Sequence, residues 1–189
     1  MAKARKTARK SARRAQPRTR GAASTDAIAL LKADHRQVEE WFEQFESARS
    51  DSRQQELAQK ICQALKVHTE IEEEIFYPAF LEATDEEDIH HEAEVEHDGA
   101  KKLIAQIEGS GPDDDYFHAK VTVLSEMIKH HVQEEEKRDG MFAKARQSDM
   151  DLEALGGQLA ARKAELMSES GSGAPSRRSR QEPGMQLGR

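Results

Sequence analysis

The sequence predicts an all-α protein: an antiparallel, up-down-up-down four-helix bundle with a short C-terminal fifth helix and disordered termini. Three observations point there. Apolar residues recur at intervals of three and four through four successive segments, the spacing of helices with one buried face. Charged residues make up 34% of the chain and aromatics 5%, a balance that suits amphipathic helices better than a β-sandwich. Proline is rare, and three of the five, Pro17, Pro175 and Pro183, lie outside the middle of the chain.

The 189 residues suffice for one domain with tails. The single cysteine, Cys62, excludes an intrachain disulfide and fits a reducing compartment. No apolar run approaches the ~20 residues that cross a bilayer, and no signal-peptide core lies near the start. A soluble cytoplasmic protein is expected. Charge is uneven: residues 1–20 carry +9 and residues 168–189 carry +2, so a total of −7 leaves −18 on residues 21–167.

Residues 1–24 hold almost no large apolar side chains and cannot offset the entropy of ordering, so they read as a basic disordered arm. Clustered Lys/Arg release counterions from phosphate, which makes weak nucleic-acid contact through residues 1–20 one reading. No aromatic is interleaved there, which favours a solubilising tail. Ser24, Thr25 or Asp26 can cap a first helix that runs to about Arg49 with Ile28, Leu31, His35, Val38, Phe42 and Phe45 on one face. Ser50-Asp51-Ser52 ends it and caps a second, Arg53 to Ala83, with Leu57, Ile61, Ala64, His68, Glu72 and Ile75 inward; Pro78 should kink its end. A third helix, Glu86 to Glu108, turns Ile89, Ala93, His97, Ala100, Ile104 and Ile107 inward and stops at Gly109-Ser110-Gly111-Pro112. A fourth, capped within Asp113–Asp115 and running to about Ala145, carries Val121, Leu124, Ile128, His131, Glu135 and Phe142. The pair His130 and Glu134 offers an alternative phase. A fifth, from Asp149 or Asp151 to about Met167, is weakened by Gly156-Gly157 and should lie against the bundle. The expected organisation is a 1–24 arm, a 25–167 bundle and a disordered 168–189 tail.

Each of the four long helices thus carries one inner histidine: His35, His68, His97 and His131. Two add a carboxylate four residues later, Glu72 and Glu135, on the same face. One histidine on an apolar face is ordinarily a hydrogen-bonded core residue, and a glutamate within Glu72-Glu73-Glu74 ordinarily faces water. Six such groups in one core are hard to satisfy without a cation. No cysteine stands among them, which argues against a thiolate zinc site. Imidazole with carboxylate suits iron, with zinc or manganese as alternatives. Six ligands exceed what one tetrahedral zinc uses, so two iron ions bridged by the carboxylates are favoured.

Four segments carry a resemblance: DHRQVEEWF around His35, HTEIEEEIFYPAF from His68, EAEVEHDGAKKLIAQIE around His97 and IKHHVQEEEKRDGMFAKAR around His131. Over roughly residues 26–167 the chain resembles the hemerythrin-like HHE cation-binding family, in its bacterial branch. The resemblance implies a four-helix bundle with a non-haem, oxo-bridged di-iron centre. His35, His68, His97 and His131 would be terminal ligands, and Glu72 and Glu135 bridging carboxylates. Oxygen-carrying members have a fifth histidine one turn before His97, where this chain has Ala93. Glu94, His90, a water or a residue near Thr69 would fill that position, or it would stay open to O2, NO or peroxide. Glu39 and Glu134 are expected as hydrogen-bonding supports. The implied function is a metal-binding protein that binds or senses O2, NO or cellular iron and redox state. The alternatives are a di-iron oxidase or peroxide-consuming enzyme, and a DNA-associated iron and stress-protection protein using the basic arm.

Overall fold

The computed structural model describes residues 26–172, and no strand occurs among them. The predicted arm and most of the predicted tail lie outside the described residues. Asp26 caps α1 (Ala27–Ser47) by accepting the Ala29 N–H at 2.8 Å. After a short turn, α2 (Asp51–Ile71) passes into a π-helical turn, Glu72–Phe76, and then α3 (Tyr77–Thr84). Asp85 ends α3 in the left-handed region. α4 (Glu87–Glu108), α5 (Phe117–Glu136), α6 (Met141–Gln147) and α7 (Leu152–Ser172) come next. No helix among the described residues is long and apolar enough to cross a membrane.

The direction of each long helix can be read from its core residues, which fall into two apolar clusters. One holds Val38, Phe42, Leu65, Ala100 and Ile128; the other holds Ile28, Leu31, Ile71, Ala93 and Phe142. α1 enters from the second cluster and leaves through the first, α2 runs the reverse way, α4 repeats α1, and α5 repeats α2. That alternation is the up-down-up-down bundle. Each inner histidine sits where its helix crosses between clusters, so the four form a polar layer between two apolar clusters.

Three expectations need correction. Ile75 is only half-buried, while Phe76, Tyr77 and Phe80 are fully buried. Pro78 has no N–H for the Glu74 carbonyl and crowds it. The chain widens instead, with Tyr77 N–H donating to Glu72 O. One extra residue in that turn rotates the remainder of the helix by about 100°. The rotation takes Ile75 off the inner face and puts Tyr77 on it.

The fourth helix is two. α5 stops at Glu136, Lys137 turns to extended backbone, and Gly140 restarts the chain into α6. A Cβ on Gly140 would lie 2.2 Å from Glu134 O, so only glycine lets the backbone fold this closely over the end of α5. Phe142 does reach the core, but from α6. The fifth helix is not short: it has 21 residues, runs through Gly156-Gly157 to Ser172, and buries Leu159 and Leu166.

Candidate metal centre

The structure brings all six predicted side chains together. His35, His68, His97 and His131 are each at most 5% exposed, Glu72 is 0% and Glu135 2%. They form two halves. His35 Nε2 lies 3.0 Å from His68 Nε2, and His97 Nε2 lies 3.2 Å from His131 Nε2. Glu72 Oε2 stands between the halves, 3.3 Å from His68 Nε2 and 3.5 Å from His97 Nε2. Glu135 does the same from the opposite side, with Oε2 3.4 Å from His35 and Oε1 3.7 Å from His131. Two ligand sets of cation-binding size result, His35/His68/Glu72 and Glu72/His97/His131, the donor atoms of each lying within 4.8 Å of one another.

The outer ring nitrogens explain why the inner ones converge. His35 Nδ1 meets Glu136 at 2.9 Å, His97 Nδ1 meets Glu73 at 2.9 Å, and His131 Nδ1 meets Glu96 at 2.7 Å. His68 Nδ1 faces Asp34 at 3.6 Å. An ionised carboxylate only accepts, so in the three close pairs Nδ1 carries the proton and Nε2 points its lone pair inward. These contacts close a ring around the bundle. Asp34 of α1 reaches the histidine of α2, Glu73 of the π turn reaches that of α4, Glu96 of α4 reaches that of α5, and Glu136 of α5 returns to α1. The expected supports, Glu39 and Glu134, are elsewhere: Glu39 faces Arg36, and Glu134 pairs with Lys137.

The electrostatics are those of a cation site. Both oxygens of Glu72 and Oε2 of Glu135 are buried without a hydrogen-bond donor. Burial, then the nearby Glu135, Asp34 and Glu73 carboxylates, pushes the Glu72 carboxyl well above its ordinary value. Burial likewise holds His35, His68 and His97 below theirs, which keeps the rings neutral and able to ligate. Burial pulls His131 the same way, but Glu135 and Glu96 outweigh it and raise that ring. The supporting carboxylates are held ionised. Glu136 falls to about 2 chiefly through His35, with Lys32 adding to it against partial burial. Orphaned carboxylate oxygens facing paired imidazole lone pairs fit one or two bound cations and no apolar group.

Ala93 is buried in the same apolar cluster as Tyr77, whose phenol oxygen is a further polar group at this layer. Tyr77 Oη lies 3.2 Å from His97 Nε2 and 3.3 Å from Glu135 Oε1. The side chains expected beside Ala93 make other contacts or face solvent. His90 packs edge-on against the Tyr77 ring, Glu94 is exposed, and Thr69 bonds its own helix at Lys66 O. A cavity of about 40 Å3 on this side is lined by Ala93, Glu96, His131, Glu135, Gly140 and Met141 among others. On the opposite side, a pocket of about 10 Å3 touches all four histidines under Val38, Leu65 and Ile128. Phe142 stacks on His35 with ring centroids 5.8 Å apart, closing another wall.

Sequence reasoning missed Tyr77 and the four outer carboxylates. A local signal for the carboxylates existed: Asp34 and Glu96 directly precede inner histidines, and Glu73 and Glu136 directly follow inner glutamates.

The family described as hemerythrin HHE cation binding domain matches residues 26–143. Among solved structures, a hemerythrin HHE cation-binding domain-containing protein from Mycobacterium kansasii is similar, with 23% identity and a TM-score of 0.65. The alignment covers 78% of this chain and 90% of that one, and at this identity it supports the fold alone. Comparison with curated proteins found no match.

Proposed function

The chain belongs to the hemerythrin HHE cation-binding domain family, and from that premise we propose that it is a cytoplasmic protein that holds two iron ions and binds or senses O2, NO or peroxide. One observation carries the reading. Four buried imidazoles, each backed by a carboxylate, aim Nε2 in two pairs at Glu72 and Glu135. His35 and His68 would hold one ion, His97 and His131 the other, with the two glutamates shared. The donor set is imidazole, carboxylate and one phenol, with no thiolate, which favours iron over zinc.

Iron bound there would supply a redox couple and an exchangeable coordination position for a small oxidant. The chain's own contribution is order and dryness. At His35, His97 and His131 the outer carboxylates fix tautomer and ring orientation before an ion arrives. Under the apolar roof of Val38, Leu65 and Ile128 the adjoining pocket, about 10 Å3, has room for about one water-sized molecule.

A second reading, a peroxide-consuming enzyme, draws on the cavity beside Ala93. Exposed Glu92 and half-buried Glu96 and Glu134 line it, setting carboxylates between the surface and His131 and Glu135. Metal analysis and an absorption spectrum after anaerobic iron loading test the first reading, which requires about two irons retained per chain. Reversible spectral change with O2 supports a carrier or sensor; steady loss of added peroxide supports the enzyme. Protein that retains no stoichiometric transition metal ends both.

A further inference from the structure

We propose that α7 belongs to the support of the metal centre, with Lys163 acting as a positioning residue for His68 through Asp34. The inference rests on the two-ion reading above and deepens it, because it assigns one half of the centre to a helix outside the family-matched stretch.

Three of the four outer carboxylates are anchored from within the bundle. Glu73 is held by Lys101, Glu136 by Lys32 and Arg36, and Glu96 by His130. Asp34 is different. Its Oδ1 accepts from Lys163 Nζ, on α7. Its Oδ2 is left to face His68 Nδ1, and the 3.6 Å between them is too long for a hydrogen bond. Both atoms are buried with no other bonding partner. His68 is therefore the inner histidine with the weakest outer contact, and the orientation of the Asp34 carboxylate decides how well its ring is aimed.

Lys163 is well placed to decide it. Leu159 and Leu166 flank it at helical spacing and are 0% and 7% exposed, so the face carrying Lys163 is pinned to the bundle. Arg162 fastens the same stretch to the residues around Glu72: its Nε donates to Glu74 at 2.7 Å and its Nη2 to Glu70 at 3.1 Å. With one carboxylate oxygen tied to Lys163, the other stays turned toward His68. Without that tie, a carboxylate so close to the surface turns to water, and His68 Nδ1 loses the carboxylate that faces it. The affected half is His35/His68; the His97/His131 half keeps Glu73 and Glu96.

The test is a stepwise anaerobic Co(II) titration of the full-length chain, monitored by absorption, with thermal melts of the metal-free protein as the folding control. Wild type should show two steps. Lys163→Met should weaken one step on the order of ten-fold and leave the other within about two-fold, as expected for loss of an outer partner. Asp34→Asn should do the same, Lys163→Arg should restore the step, and Arg162→Met should leave both steps in place. Two unchanged steps in Lys163→Met and Asp34→Asn would overturn the inference. So would an equal loss in Arg162→Met, which would make docking of α7 the cause rather than the Asp34 contact. Wild type that binds no Co(II) or Fe(II) at all would overturn the two-ion reading itself, an outcome visible before any variant is made.

Discussion

Tyr77 and His97 stack with ring centroids 5.4 Å apart, and the phenol oxygen comes within 3.2 Å of the imidazole Nε2. The π turn created by Pro78 makes this possible by rotating Tyr77 onto the inner face. Burial, then the Glu72 and Glu135 carboxylates, holds the phenol proton on well above its ordinary value while no cation is present. A ferric ion on the same atoms would reverse that preference. Iron-loaded wild type should therefore show a visible phenolate charge-transfer band that Tyr77→Phe lacks. Tyr77→Phe should also weaken metal binding roughly ten-fold, in line with removal of a group touching the ligands. An identical spectrum in the variant would place Tyr77 outside the coordination sphere.

Glu72 predicts how metal uptake depends on pH. Its carboxyl is raised above 4.5 by burial and by its acidic neighbours, so the metal-free fold keeps a proton that the unfolded chain releases. This group's stabilisation is therefore full below pH about 4.5 and is lost as pH rises through the higher folded value. A cation displaces the proton, so affinity should rise with pH, and a weakly buffered titration should show acid released. Glu72→Gln removes the need for the proton. It should raise the metal-free melting temperature at pH 7–8, by the equivalent of about 1–3 kcal/mol for a buried unpaired acceptor, while abolishing stoichiometric metal. A variant that melts lower than wild type would contradict this account of Glu72.

Glu73 has the opposite sign. The His97 Nδ1–H, acting against partial burial and aided by Lys101, takes its carboxyl from 4.5 to about 2. A neutral imidazole still donates Nδ1–H, so the contact survives with His97 uncharged. Its stabilisation is full above pH about 4.5 and is lost as pH falls toward 2. Acid titration of the metal-free fold should show wild type more stable than Glu73→Gln at pH 6, with the gap closing between about pH 4.5 and 2. Glu73 is only half-buried, so water screens the contact and the gap should be small. A constant offset across that range would mean packing, not charge, separates the two.

The inner layer was legible because period decides it. His35, His68, His97 and His131 fall in phase with Leu31, Leu65, Ala100 and Ile128, and a residue in phase with an apolar stripe is buried wherever the stripe is. The choice of His131 over His130 obeys the same rule: His130 is 61% exposed on its side chain, against 5%. What period could not decide was any place where it changes. The π turn moved Ile75 out and Tyr77 in, and the tight backbone at Gly140 cut one predicted helix into α5 and α6. The outer carboxylates escaped for another reason. Asp34, Glu73, Glu96 and Glu136 read as solvated charges on their own helices, and their role emerges only once the neighbouring helix is in place.

Two glycines separate a required absence of side chain from an idle one. At Gly140 a Cβ would press on Glu134 O and, at 2.8 Å, on Glu135 O, both backbone atoms at the end of α5 that cannot swing aside. Gly140→Ala should cost about 1–3 kcal/mol as an overpacked site, read as a lower urea midpoint at constant slope. It should also lower iron retention, because the displaced backbone carries Glu135. At Gly157, inside α7, a Cβ would meet nothing within 4 Å. Gly157→Ala there should stabilise the chain by roughly 0.5–1 kcal/mol through helix propensity alone, with iron content unchanged. If both alanines proved neutral, the backbone between α5 and α6 would have slack, and the sharp restart of the chain at Gly140 would not be what fixes Glu135 in the centre.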